Sequence, residues 1–226
     1  PRGNVIFRVV LIFGRRFGAQ RQEEFLLFGR HASQQLVQRG GDEFGVVAFF
    51  AGFEERMVPV PGGEIFCRIG GDGPPLLLLH GYPQTSALWH KVATRLQDHF
   101  TIVCADLRGY GRSHKPAGGG DHAAYSKREM AADMKAVMSA LGHERFYLGA
   151  HDRGARVSHR LALDHGDSVI ALATLDIAPT REMYRDGDSD FAQTYWHWYL
   201  LTQAAPFPER LIGGDPDYYW LKKCGS

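Results

Sequence analysis

Apolar and polar residues follow two different periods along most of this chain. Residues 56–60 and 64–69 are strand-like and flank Pro61-Gly62-Gly63, so they predict a hairpin. Residues 76–79 are four consecutive leucines, the pattern of a strand buried on both faces of a parallel sheet. Residues 86–97 switch to helical spacing, with Leu88, Val92 and Leu96 on one side and Ser86 as the expected cap. Residues 101–105 predict another buried strand. Ser126 and Glu129 have the spacing of a capping box and open a helix to Leu141, whose inner side carries Met130, Met134, Val137 and Met138. An apolar run at 146–148, a helix over 157–165 and a strand over 169–175 follow. Strands and helices alternating at this spacing predict an α/β fold with a mostly parallel, doubly wound sheet behind an antiparallel start.

The two ends fit this alternation less well. Residues 1–52 keep no steady period. The apolar run 5–13 is broken by Arg8, is too short to span a bilayer and lacks a cleavage pattern after it. Residues 1–52 are therefore expected to be an upstream extension or a tail. An accessory helix over 20–38 is the alternative, with Phe25, Leu26, Phe28 and Leu36 on one face. On the tail reading, deleting residues 1–50 leaves melting behaviour unchanged. Beyond Pro179 the chain becomes rich in aromatics, with Phe191, Tyr195, Trp196, Trp198 and Tyr199 around His197, and prolines 206, 208 and 216 then break it into short pieces. Three segments result: an N-terminal extension (1–52), an α/β core (53–179) and the beginning of a helical cap (180–226).

Composition narrows the class. Apolar residues make up 44% and charged residues 23% of the 226, as in soluble globular proteins. A formal net charge of +1 gives no reason to expect nucleic acid or a membrane surface as partner. Cys67, Cys104 and Cys224 are odd in number and show no metal-ligand spacing. They predict free thiols, the first two buried in strands, in a protein of the reducing cytoplasm with no metal.

Chemistry concentrates at Gly149-Ala150-His151-Asp152-Arg153-Gly154-Ala155-Arg156. This stretch joins a strand to a helix, with small residues at 150 and 154 that permit a sharp turn. Such an elbow commonly presents a serine nucleophile. Here the centre is Asp152. A carboxylate is already ionised at neutral pH and attacks saturated carbon without a base, leaving an ester on the enzyme. The competing reading is an aspartate that caps the helix. His80, Asp106, Asp152 and Asp176 all fall at the carboxyl ends of predicted strands, where ligands bind in open α/β sheets, and this favours the nucleophile.

Residues from about 53 to 221 resemble the α/β-hydrolase fold and, within it, the fluoroacetate (haloacetate) dehalogenases. His80-Gly81-Tyr82-Pro83, Asp106-Leu107-Arg108-Gly109-Tyr110-Gly111 and the elbow carry the superfamily likeness. Arg153 and Arg156 around the elbow glycine, Leu175-Asp176-Ile177 before Pro179, and Tyr195-Trp196-His197-Trp198 carry the narrower one. Ala150 and Ala155 stand where that family usually has glycine. The resemblance implies Asp152 as nucleophile and Asp176 as the acid that orients a histidine base. Arg153 and Arg156 would clamp a substrate carboxylate, since a guanidinium fork matches it. His197 and Trp198 would donate N–H groups to the departing halide. The backbone N–H groups of Tyr82 and Arg153 would form the oxyanion hole. Ordinary roles compete with each: ion pairs with Asp164 and Asp167 for the arginines, a turn residue for Asp176, and cap packing for His197 and Trp198.

The reaction implied is hydrolytic removal of halide from a short 2-haloacid such as haloacetate. It needs a small-molecule substrate and water, no metal or organic cofactor, and is compatible with a homodimer. Two rivals remain. An epoxide hydrolase would use paired cap tyrosines, for which Tyr195 and Tyr199 are available. A non-catalytic hydrolase-fold protein is the other. The family's histidine base and a halide-binding tyrosine lie in sequence beyond residue 226, so the chain is expected to be C-terminally truncated. On that expectation chloroacetate modifies Asp152 once and turnover stops.

Overall fold

The computed structural model describes residues 9–12 and 49–224. The strands are β1 (Val9–Ile12), β2 (Phe53–Val60), β3 (Gly63–Gly70), β4 (Pro75–Leu79), β5 (Thr101–Ala105), β6 (Phe146–His151) and β7 (Val169–Leu175). They form one sheet in the order β1-β7-β6-β4-β5-β3-β2. β2 and β3 make the expected hairpin, and β3 pairs antiparallel with β5. The remaining neighbours are parallel. A doubly wound, mostly parallel sheet behind an antiparallel start is the observed architecture.

Among the described residues, the α-helices between these strands are α1 (His90–Leu96), α2 (Lys127–Ala140) and α3 (Asp152–Asp164). Strand alternation explains why β4 needs leucine at consecutive positions. Leu77 and Leu79 enter a core with Met134, Val137 and Met138 of α2 and Val157 and Leu161 of α3. Leu76 and Leu78 enter a second core with Trp89, Ala93, Ile102 and Cys104. Cys67 and Cys104 are buried free thiols, as expected, and burial pushes the Cys67 thiol up to about 12.

Helix starts differ from the sequence reading in two places. Ser86 does not cap. Thr85 does, its Oγ1 accepting from the Ala87 N–H at 3.3 Å. Ser86 turns inward instead: its N–H donates to Asp106 Oδ1 at 2.7 Å and its Oγ accepts from Arg68 at 2.7 Å. The elbow helix begins at Asp152 itself, five residues before the expected start, because the turn is completed within one residue in the left-handed region. The Ser126 cap is as expected, accepting from the Glu129 N–H at 3.2 Å.

A buried ion pair fixes α2 to the end of β5. Arg108 Nε and Nη2 donate to the two carboxylate oxygens of Asp133 at 2.6 Å each, and Nη1 donates to the Ala124 carbonyl at 2.7 Å. Both side chains are buried. Three donors satisfied in this way make the pair tolerable inside the protein.

The N-terminal segment contributes more than a tail would. β1 pairs parallel with β7, from Val9↔Leu172 to Ile12↔Leu175. Phe50 is buried, its ring 5.4 Å from that of Phe53, with the Arg68 guanidinium carbon 5.0 Å from its centre. The expectation that residues 1–50 are dispensable is therefore corrected: they supply a sheet edge and a core aromatic. The expected helix over 20–38 lies outside the described residues.

The described residues fall into two compact units, one ending at Ile177 and one beginning at Ala178. The second unit's described residues from 178 on are helical: α4 (Thr180–Arg185), α5 (Ser189–Thr194), α6 (Trp196–Leu200), α7 (Phe207–Gly214) and α8 (Pro216–Cys224). Its core is an aromatic cluster, with ring centres of Phe191 and Tyr195 5.0 Å apart, Tyr184 and Trp198 5.4 Å, and Phe191 and Trp198 5.7 Å. Among the described residues no helix is long and apolar enough to cross a membrane.

Two stability outcomes follow. Asp133→Ala strands a buried guanidinium and lowers unfolding free energy by about 3 kcal/mol or more; a loss under about 1 kcal/mol in a urea titration contradicts the role given to the pair. Deleting residues 1–50 removes β1 and Phe50 and costs about 3 kcal/mol, the scale of losing one buried phenylalanine. An unchanged melting curve would restore the tail reading.

Candidate active site

The sheet reverses direction at β4. From there the chain passes to β5 on one side, then crosses back to β6 on the other. The loops leaving adjacent β4 and β6 thus run apart, opening a crevice at their carboxyl ends. His80-Gly81-Tyr82 enters it from β4 and Asp152 from β6.

Asp152 is the first residue of α3, with φ +47°, a left-handed conformation that a non-glycine residue adopts at a cost. Two glycines make the geometry accessible. A Cβ on Gly81 would lie 2.5 Å from Asp152 Cβ, and one on Gly154 would lie 2.4 Å from the His80 carbonyl oxygen. At this approach the Tyr82 backbone N–H donates to Asp152 Oδ1 at 2.9 Å. The competing reading of Asp152 as a helix cap is not what the structure holds. The helix has no side-chain cap, and the carboxylate is turned to the β4 loop.

Beneath this contact lies a buried frame. His80 is fully buried. Its Nε2 is 3.0 Å from the Leu107 N–H, which can only donate, so Nε2 accepts. Nδ1 therefore carries the proton and donates to the Gly81 carbonyl at 2.8 Å. Burial holds the ring below the usual histidine range, which keeps it neutral. With both nitrogens engaged, His80 ties the β4 loop to the β5 loop and has no position free to activate water. Asp106 is likewise structural: its two oxygens accept from the Ser86 and Arg112 N–H groups at 2.7 and 3.0 Å. Of the four polar residues at strand ends, two are thus scaffold.

Arg153 lies against the same crevice, its guanidinium carbon 5.0 Å from the centre of the Tyr82 ring. Its charge also acts on Tyr110, whose hydroxyl is pushed up by burial and pulled back by Arg153. The Arg153 N–H belongs to the first turn of α3, where N–H groups have no intrahelical acceptor. Arg156 is one turn on, at i+3 from Arg153 and i+4 from Asp152, which sets it on the same side of the helix. Asp176 follows β7 with φ +50° and is largely exposed, its Oδ2 3.9 Å from His151 Nε2. His151 is half-buried, and its Nδ1 is buried with no hydrogen-bond partner.

His197 and Trp198 lie on α6 in the second unit. His197 is buried, with ring centres of Trp196 5.9 Å and Tyr195 6.3 Å away. Trp198 belongs to the aromatic cluster, so each has the packing role that competed with halide binding. The structure brings Asp152, Tyr82, Arg153 and Asp176 to the ends of neighbouring strands. Two residues whose titration the charge of Asp152 affects were not picked out from sequence. Tyr110 sat within a superfamily motif with no stated role. Lys127, at the first turn of α2, looked like any surface lysine. It is half-buried, with Nζ 3.6 Å from Met130 Sδ, and burial and the charges of Arg153 and Arg156 lower it to about 8 against the pull of Asp152. Among the described residues no group of three or more histidine, cysteine or acidic side chains could hold a metal ion.

The parallel sheet, the reversal at β4 and the strained elbow are one constellation, and residues 74–218 match the model of the alpha/beta hydrolase fold. The chain belongs to this family. It is 56% identical over 171 residues to a fluoroacetate dehalogenase from a Burkholderia species, an alignment covering 76% of this chain and 56% of that enzyme. A soluble epoxide hydrolase from a Corynebacterium species is 40% identical over 119 residues, covering 53% of this chain and 39% of that protein. A Nostoc structure provisionally described as an alpha/beta hydrolase superposes with a TM-score of 0.72 at 54% identity, covering 76% of this chain and 60% of that one. The chain thus spans little more than half the length of the dehalogenase it matches. The hydrolase fold gives Gly154 its requirement. Gly154→Ala forces a methyl group onto the backbone carbonyls of His80 and Leu79 and should cost at least about 2 kcal/mol. A variant as stable as the parent in a thermal melt contradicts the close approach.

Proposed function

We propose that this chain carries the nucleophile and carboxylate-binding part of a hydrolase that removes halide from short 2-haloacids, haloacetate being the simplest. The observation that carries the reading is the Tyr82 N–H on Asp152 Oδ1 at 2.9 Å. With Oδ1 held there, Oδ2 attacks the carbon bearing halogen, and halide leaves with the bonding pair. Oδ1 becomes the ester carbonyl oxygen. When water adds to the ester carbon, negative charge develops on Oδ1, where Tyr82 N–H already points and where the Arg153 N–H is the second proposed donor. Collapse returns Asp152 and releases the hydroxy acid. Asp176 is assigned to orient the histidine that takes the proton from water. Arg153 and Arg156 hold the substrate carboxylate, fixing the reacting carbon beside Oδ2. His197 and Trp198 are assigned to the departing halide.

The similarity to a fluoroacetate dehalogenase supports this reading. Epoxide hydrolysis is the second reading, favoured by similarity to the Corynebacterium enzyme and by Tyr195 and Tyr199 in the cap. A neutral epoxide, however, gives two arginines beside the nucleophile nothing to bind. The reaction is assigned to the cytoplasm, with water and the haloacid as partners, a homodimer as an open assembly, and no organic cofactor, metal, nucleic acid or membrane. The domain division at 52 and 179 stands as part of the same proposal.

Halide release from haloacetate, compared with hydrolysis of styrene oxide, tests the choice. Haloacetate should be consumed, styrene oxide left, and Asp152→Asn should abolish halide release. Arg156→Lys should weaken haloacetate binding by about 30-fold, since a lost bidentate charged contact is worth about 2 kcal/mol. Styrene oxide turnover with haloacetate untouched would transfer the assignment to the epoxide reading.

A further inference from the structure

We infer that Tyr82 is a positioning residue whose aromatic ring holds the guanidinium of Arg153 in place for the substrate carboxylate. This rests on the proposed role of Arg153 as a carboxylate-binding group and names what fixes its far end. The Arg153 guanidinium carbon lies over the Tyr82 ring, 5.0 Å from its centre. The same residue donates its backbone N–H to Asp152 Oδ1 at 2.9 Å. One residue of the β4 loop thus meets both the proposed nucleophile and the proposed clamp, through different atoms.

This platform is held from behind. The Gly81 carbonyl accepts from the His80 Nδ1–H at 2.8 Å and from the Gln84 N–H at 3.0 Å, which closes a turn around Tyr82. Gly81 itself has no room for a Cβ against Asp152. With its backbone set on both sides, the Tyr82 side chain keeps only two rotatable bonds. The helix fixes the Arg153 backbone, but the guanidinium stands at the end of a long, rotamer-rich side chain. Asp164, the acidic residue that ends the same helix, is engaged by Arg160 and Arg128. Among the described residues Arg153 forms no ion pair, so the Tyr82 ring is the contact that restrains its charged end.

The kind of contact matters. A carboxylate partner would occupy the N–H fork. An aromatic face draws the delocalised charge without using an N–H donor, so the donors remain for an incoming carboxylate. The ring attracts Arg153 in the empty and the occupied site alike, and this attraction cancels from the binding free energy. What remains is the ordering cost, because a guanidinium already held need not be immobilised when the anion arrives. For one long side chain that saving is about fivefold in affinity. It acts on substrate binding, whereas the Tyr82 N–H acts on the chemistry at Asp152. Side-chain substitutions other than proline keep the N–H, so the two contacts separate experimentally.

Acetate, an unreactive carboxylate, is the probe, with affinity read by calorimetric titration. Tyr82→Leu should weaken acetate by about fivefold. Tyr82→Phe should restore affinity to within about twofold of the parent, because the ring face and not the hydroxyl is the platform. In single turnovers of chloroacetate, Tyr82→Leu should raise the half-saturating concentration for modification of Asp152 more than it lowers the limiting rate. In an Arg153→Gln background, Tyr82→Leu should cost acetate nothing further; the same loss there would mean that the ring meets the anion directly, and overturns the inference. If Arg156→Lys weakens acetate while Tyr82→Leu binds it as the parent does, the inference falls and the arginine site stands. If acetate does not bind the parent, or ignores both variants, both fall. The Arg153 Nε–H resonance of the unmodified protein gives a reading that needs no variant. The ring current should shift it upfield, and the shift should persist with acetate bound. An unshifted resonance, or one that loses the shift when acetate binds, overturns the inference.

Discussion

The loop after β4 and the first turn of α3 approach so closely that neither Gly81 nor Gly154 has room for a Cβ. This approach puts a backbone donor on the carboxylate of Asp152 and pushes that residue into the left-handed region. Strain of this kind persists only where the surroundings over-determine it. Here they do, through packing on both sheet faces and a set of buried polar ties. His80 bridges Gly81 and Leu107, Asp106 holds the N–H groups of Ser86 and Arg112, and Arg108 locks α2 through Asp133. The first two ties join loops at the carboxyl ends of neighbouring strands and the third anchors α2 to the loop after β5, so the crevice is built by residues that also stabilise the fold.

Sequence periodicity was a good guide wherever burial alone decides structure. The run of leucines in β4, the apolar β5 and β7, and the methionine face of α2 lie where their patterns predict, because a buried parallel strand or a one-sided helix has few other arrangements. The hairpin and the doubly wound order were legible for the same reason. Local polar chemistry was less so. Ser86 looked like a cap, yet Thr85 takes that role because Ser86 is drawn inward by Asp106 and Arg68. The pattern of 1–52 hid β1, since a four-residue edge strand is too short to leave a period.

The candidate site divides in the same way. The elbow and its arginines were readable because their spacing is dictated by one turn of backbone. That His80 and Asp106 are held on both sides as scaffold, while Asp152 is turned to the β4 loop, could not be read from residue type, since all three are polar residues at strand ends. The structure separates them by what their side chains hold. The chemistry proposed follows from charge: two arginines beside a carboxylate nucleophile suit an anionic substrate and leave a neutral one unrecognised.

The central claim is that Asp152 itself bonds to the substrate carbon. A single turnover of chloroacetate in water enriched in oxygen-18, quenched in acid and mapped by peptide mass, tests it most directly. The account predicts that the peptide containing Asp152 carries the mark, as a carboxymethyl ester before hydrolysis or as oxygen-18 in its carboxylate afterwards. Chloride release with that peptide unchanged and oxygen-18 appearing first in the glycolate product would contradict it, because water would then have attacked the substrate directly.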